Sequence, residues 1–127
     1  MKERMPTFEE YLAAALFANA PGWITIATIS YLVEISILPP ILVEPLIMTA
    51  YVIGTIYASY LVTRIAYRDR VKLGLEVGTA SIFINIILMM IFGGAPMTVL
   101  MEMSLAQIIG GMMGGYYAEK KHPESTA

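Results

Sequence analysis

Five side chains that can bind an ion, a proton or a polar group interrupt long apolar stretches of this sequence. Polar and ionisable groups are costly in an apolar environment, and an ionisable group there marks a functional site by default. The chain has no lysine or arginine between residues 5 and 63 or between residues 73 and 119, so no nearby cation in the sequence neutralises the two acids. We therefore predict a candidate ion or proton site that comprises Glu34, Glu102, Asn85, Tyr31 and Tyr51.

The two glutamates, Glu34 and Glu102, limit what this site can do. An uncompensated carboxylate in lipid takes up a proton, holds a cation, opens to water, or pairs with a cation from another subunit. Asn85, Tyr31 and Tyr51 supply the hydrogen bonds that such a cluster needs. The alternative is that each glutamate reaches interfacial water alone, because neither lies at the centre of its apolar stretch.

Other kinds of chemistry are not expected. The chain has no cysteine, and its one histidine, His122, lies in a polar tail, so no transition-metal site is predicted. No nucleophile has an adjacent base, which argues against an enzyme. The net charge is −2 and the basic residues form short runs, which argues against a nucleic-acid partner. We predict no catalytic residue, no metal and no cofactor.

The composition predicts that the partner of this chain is a lipid bilayer. Of the 127 residues, 57% are hydrophobic and 14% are charged, whereas soluble domains have roughly 45–50% apolar and about 25% charged residues. A single small domain cannot bury that much apolar surface in its own core. The excess therefore indicates membrane-spanning segments.

Four apolar segments are near the roughly 20 residues that a helix needs to cross a bilayer. They cover about residues 21–38, 45–66, 73–92 and 97–118, and a polar tail follows at 119–127. Pro39-Pro40, a charged turn at 68–72 and Gly93-Gly94-Ala95-Pro96 separate them. The predicted fold is an all-α membrane protein, a bundle of four transmembrane helices in one domain.

A further short helix is predicted before the first span. Thr7 followed by Glu10 has the pattern of a capping box, and Asn19 with Pro21 offers a second helix start. We expect residues 7–18 to lie on the membrane surface as an interfacial helix. A kinked extension of the first span is the alternative.

The basic residues predict the orientation. All eight lie in three places: Lys2 and Arg4, residues 64–72, and Lys120 and Lys121. Cytoplasmic loops carry the excess of lysine and arginine. We therefore expect a cell-membrane protein whose N-terminus, middle loop and C-terminus lie in the cytoplasm.

Each span has a face of small or polar residues at helical spacing. Small residues let helix backbones approach closely in lipid. This face packs the bundle itself or contacts another copy or another membrane subunit, and both remain open. The predicted interface comprises Ala50, Gly54, Ala58, Gly74, Gly78, Ser81, Ala106, Gly110 and Gly114.

Two classes of function fit these features. The first is a non-catalytic assembly or accessory subunit that uses the small-residue faces in a homo-oligomer or a larger membrane complex. The second is a cation- or proton-coupled carrier or channel that works as an oligomer. In size and number of spans the chain resembles the small multidrug resistance transporters, but Glu34 lies near the end of its span rather than at mid-span, so the resemblance assigns no residue role.

The topology is testable because the chain has no cysteine of its own. A cysteine in place of Val43 should react with an impermeant thiol reagent from outside intact cells. A cysteine in place of Asp69 should react only after lysis. Labelling of Asp69→Cys in intact cells would contradict the four-span topology with cytoplasmic termini.

Overall fold

The computed structural model describes residues 5–66, 69–92 and 97–121. Four helices account for most of them: α1 (Phe8–Glu34), α2 (Val43–Thr63), α3 (Arg70–Ile91) and α4 (Met97–Lys121), with a 3-10 turn at Pro40–Leu42 before α2. All four are long and apolar enough to span a membrane, and the described residues contain no strand. The predicted all-α bundle is confirmed. The predicted turn at 93–96 and the tail beyond residue 121 lie outside the described residues.

Helix α1 begins where the capping box predicts. The Thr7 hydroxyl accepts a hydrogen bond from the Glu10 N–H at 3.3 Å, and the Glu10 carboxylate accepts one from the Thr7 N–H at 3.0 Å. These bonds satisfy two backbone donors that the first turn leaves free. The start of α1 at Phe8 is therefore fixed by local sequence.

A separate interfacial helix is not observed, because residues 8–34 form one helix with Pro21 inside it. This corresponds to the alternative, the extension of the first span. Asn19 does not cap a second helix: its side-chain amide donates to the Ala15 carbonyl at 2.8 Å and to the Ser81 carbonyl of α3 at 3.1 Å. Tertiary contacts therefore override the local stop signal.

The helix ends differ from the predicted spans by a few residues. Helix α1 ends at Glu34, before Leu38, because Ser36 adopts a left-handed conformation with φ of 62°. The N–H groups of Ile37 and Leu38 then both donate to the Leu32 carbonyl. Asp69, with φ of 55°, makes the corresponding turn into α3.

The helices pack in an up-down-up-down arrangement. Helices α1 and α4 each pack against α2 and α3, and α2 also touches α3. One end of the bundle carries the basic residues of the described chain, and we call it the cationic end; the opposite end carries Glu34, Glu44 and Glu102, and we call it the acidic end. The residues at the cationic end are Arg64, Arg70, Lys72, Lys120 and Lys121.

Glycines bring these helices into backbone contact. Gly74 of α3 and Gly111 of α4 face each other so closely that a Cβ atom on either would overlap the carbonyl oxygen of the other. A Cβ at Gly78 would lie 2.6 Å from the Gln107 carbonyl oxygen, and one at Gly54 would lie 2.6 Å from that of Ala18. Larger residues at these positions would separate the helices.

The predicted small-residue interface lies inside this single bundle. Ala50 is half-buried, and the other eight residues are buried: Gly54, Ala58, Gly74, Gly78, Ser81, Ala106, Gly110 and Gly114. On the opposite side of α4, Met101, Leu105 and Met112 are exposed. In this arrangement the glycines contact the chain's own helices.

The packing predicts that substitutions on the two sides of α4 differ strongly in their effect on stability. In Gly114→Ala the new Cβ would lie 2.5 Å from the Ile56 carbonyl oxygen, so α2 and α4 must move apart. We expect the free energy of unfolding in mixed micelles to fall by about 1–3 kcal/mol. Met112→Leu, on the exposed side, should change it by less than about 0.5 kcal/mol. Equal stability of both variants would contradict this packing.

Candidate functional site

Two residues of the predicted site meet in the core of the bundle. The Tyr51 hydroxyl of α2 donates a hydrogen bond to the Asn85 side-chain oxygen of α3 at 2.9 Å. The Asn85 amide in turn donates to the Met103 sulfur of α4 at 3.4 Å. All three residues are buried. This first polar layer therefore links α2, α3 and α4.

A second polar layer lies one helical turn, about 6 Å, closer to the cationic end. The Gln107 amide of α4 donates to the Asn19 side-chain oxygen of α1 at 2.9 Å, and Asn19 donates to the backbone of Ser81 in α3. Asn19, Ser81 and Gln107 are buried. Since Ser81 lies near the middle of α3, this layer joins three helices near the middle of the bundle.

Two polar atoms beside these layers retain hydrogen-bonding capacity. The side-chain oxygen of Gln107 and the indole N–H of Trp23 are buried without a partner among the described residues. Among the layer residues Asn19, Ser81, Asn85, Gln107 and Tyr51, the tyrosine alone has an ionisable side chain, and an ordinary tyrosine does not ionise near neutral pH. The layers can orient dipoles and join the helices. They do not supply an acid–base pair.

The acids of the predicted site lie elsewhere. Glu34 is exposed in the last turn of α1, and Tyr31 is 61% exposed beside it. Glu102 is exposed on α4, near Glu44 at the start of α2. The structure thus joins Tyr51 to Asn85 in the core and places the other three predicted residues on the surface of the bundle. Among the described residues, no three acids or histidines are grouped so that they could hold a metal ion.

Further polar contacts tie the helices together toward the cationic end. The Ser59 hydroxyl of α2 donates to the Gly111 carbonyl of α4 at 2.6 Å. The buried Arg70 guanidinium donates to the carbonyls of Thr63 and Ala66 at 3.2 and 3.0 Å. It also pairs with Glu119 of α4 at 3.3 Å. Arg70 therefore places a cation beside carbonyl groups at the end of α2 and in the turn that follows, and it links this region to α4.

Sequence reasoning did not assign Asn19 and Gln107 to the polar core. Asn19 resembles a helix cap because Pro21 follows it closely. Gln107 lies beside the glycine face of α4, although its burial opposite Asn19 is not visible in the sequence. The sequence feature that could have revealed them is their position near the middle of long apolar segments, because an amide at such a position in a membrane span needs a partner in another helix.

No family model matches the chain, and no curated protein and no solved structure shows significant similarity to it. The described residues themselves establish a small four-helix protein with the length and apolarity of a multi-pass membrane protein.

Proposed function

We propose that the protein is a non-catalytic membrane subunit that assembles with other copies of itself or with other membrane proteins. The observation that carries this proposal is the closed interior. The two polar layers are hydrogen-bonded across the helices, and the glycines hold α3 and α4 in backbone contact. A rigid bundle of this kind is suited to a structural role in a larger complex.

The same interior argues against transport through a single chain. Carriers bind their substrate near the bilayer midplane and expose it by moving one group of helices against another. Here Asn19, Ser81 and Gln107 occupy the middle of the bundle and are bonded to one another. Separating the helices would leave these groups without partners in a medium that contains no water.

The acidic end supports assembly with a partner. Glu34, Glu44 and Glu102 are exposed there, and the sequence places no lysine or arginine in the two connections at that end. A cation from another subunit would neutralise these carboxylates in the membrane.

A cation- or proton-coupled carrier or channel is the second candidate, and the Glu44–Glu102 contact favours it. Two carboxyl groups lie near each other on the surface at the acidic end, and carboxyl oxygens can bind a cation or a proton. Both residues are exposed, so the conducting path would lie between copies of the chain. This function therefore requires an oligomer.

We also propose that the cationic end faces the cytoplasm of a cell-membrane protein. Arg64, Arg70, Lys72, Lys120 and Lys121 lie at one end of the bundle. The excess of basic residues on the cytoplasmic side of membrane proteins supports this orientation.

The mass of the purified complex and the ion flux in liposomes distinguish the two candidate functions. We expect the complex purified from its native membrane to contain this chain with another protein or with further copies, and the protein in liposomes to show no proton- or cation-dependent flux. Intact mass measurement and a pH-sensitive dye report these results. Flux that Glu102→Gln or Glu34→Gln abolishes, while Glu9→Gln at the opposite end leaves it unchanged, would contradict the subunit proposal and establish the carrier. A monomer with no partner and no flux would contradict both.

A further inference from the structure

A groove lined by aromatic residues lies between α2 and α4 near the cationic end. Ile56, Tyr57, Tyr60 and Tyr117 line it, and its volume is about 430 Å³. We call it the tyrosine groove. Tyr57 is 60% exposed and Tyr117 is 46% exposed, so the groove opens on the outer surface of the bundle, where lipid would surround it.

Basic residues flank this groove. The Lys121 ammonium group lies 5.6 Å from the centroid of the Tyr117 ring, and the rings of Tyr60 and Tyr117 pack 5.3 Å apart. Arg64 follows Tyr60 by four residues, so it emerges on the same face of α2, one turn closer to the end of the bundle. The apolar and aromatic lining of the groove therefore lies next to two basic residues, Arg64 and Lys121.

This order of groups matches the structure of a phospholipid. Tyrosines are typical of the membrane–water interface, where the ring contacts acyl chains and the hydroxyl reaches the headgroup. Basic residues at the same depth attract anionic headgroups. The groove would hold an acyl chain against Ile56 and Tyr57, with the phosphate near Arg64 and Lys121.

We propose that the tyrosine groove binds one phospholipid with an anionic headgroup, recognised by Arg64 and Lys121.

Two other surface grooves lack this combination. The groove between α3 and α4 toward the acidic end is lined by apolar residues, methionines and Ser104, and no basic residue lines it. The groove on α3 is lined by both Lys72 and an acid, Glu76, and by one aromatic residue, Phe83. The tyrosine groove is therefore distinguished from these two by its three lining tyrosines and by Lys121, which lies over the Tyr117 ring beside it.

Native mass spectrometry of the full-length protein in detergent tests the proposal. The protein would be titrated with phosphatidylglycerol or with phosphatidylcholine of the same acyl chains. We expect one phosphatidylglycerol to bind at least about fivefold more tightly than phosphatidylcholine. Lys121→Gln and Arg64→Gln should each weaken phosphatidylglycerol binding by about fivefold and leave phosphatidylcholine binding unchanged.

Matched variants separate the groove from general charge effects. Lys72→Gln removes one cation at the same end of the bundle and should leave the lipid preference intact. Tyr117→Leu should weaken binding of both lipids, whereas Tyr116→Leu, at the neighbouring exposed tyrosine, should not. All five changes are at exposed side chains, and unchanged thermal stability of the variants confirms that folding is preserved.

Several results would overturn the proposal. One is equal affinity of the parent protein for the two lipids. Another is a loss of phosphatidylglycerol affinity in Lys72→Gln as large as the loss in Lys121→Gln. Displacement of the bound lipid by millimolar inorganic phosphate would show recognition of phosphate alone. A protein dimer that forms in place of the lipid complex and is lost in Tyr117→Leu would assign the groove to a second copy of the chain.

Discussion

Backbone contact between helices is the constraint on which the rest of this structure depends. In a bilayer the lipid tails are as apolar as the side chains, so no hydrophobic force drives helices together and association relies on close packing and hydrogen bonds. Gly74 and Gly111 permit that approach between α3 and α4, and Gly54 permits it between α1 and α2. The remaining features of the core follow from the register that these contacts set.

That register places the polar residues opposite one another. The contact between Gly78 and the Gln107 backbone fixes α3 against α4, and the next residues along each helix then form the two polar layers. A buried amide in lipid is destabilising unless its hydrogen bonds are made, and the layers make most of theirs between helices. Close packing and polar pairing therefore stabilise the same arrangement, and they leave the middle of the bundle occupied by the protein's own groups.

The fold was largely predictable from sequence, because apolar length, the Pro39-Pro40 pair and the Thr7 cap are local signals. The continuity of α1 was not, because Asn19 finds its partners 62 and 88 residues away in Ser81 and Gln107. Within the candidate site, only the contact between Tyr51 and Asn85 was predictable from the sequence. Glu102 lies near Glu44 because the start of α2 approaches α4 there, and helical periodicity within one span contains no information about that neighbour.

A double-mutant cycle between Asn19 and Gln107 tests the closed interior most directly, because their hydrogen bond joins α1 and α4, which lie at opposite corners of the bundle. Asn19→Ala, Gln107→Ala and the double variant would be compared by the free energy of unfolding in mixed micelles. If the bond is made as described, the double variant should lose less stability than the two single variants together, with a coupling of about 0.5–1.5 kcal/mol. Strict additivity of the two changes would contradict the closed interior.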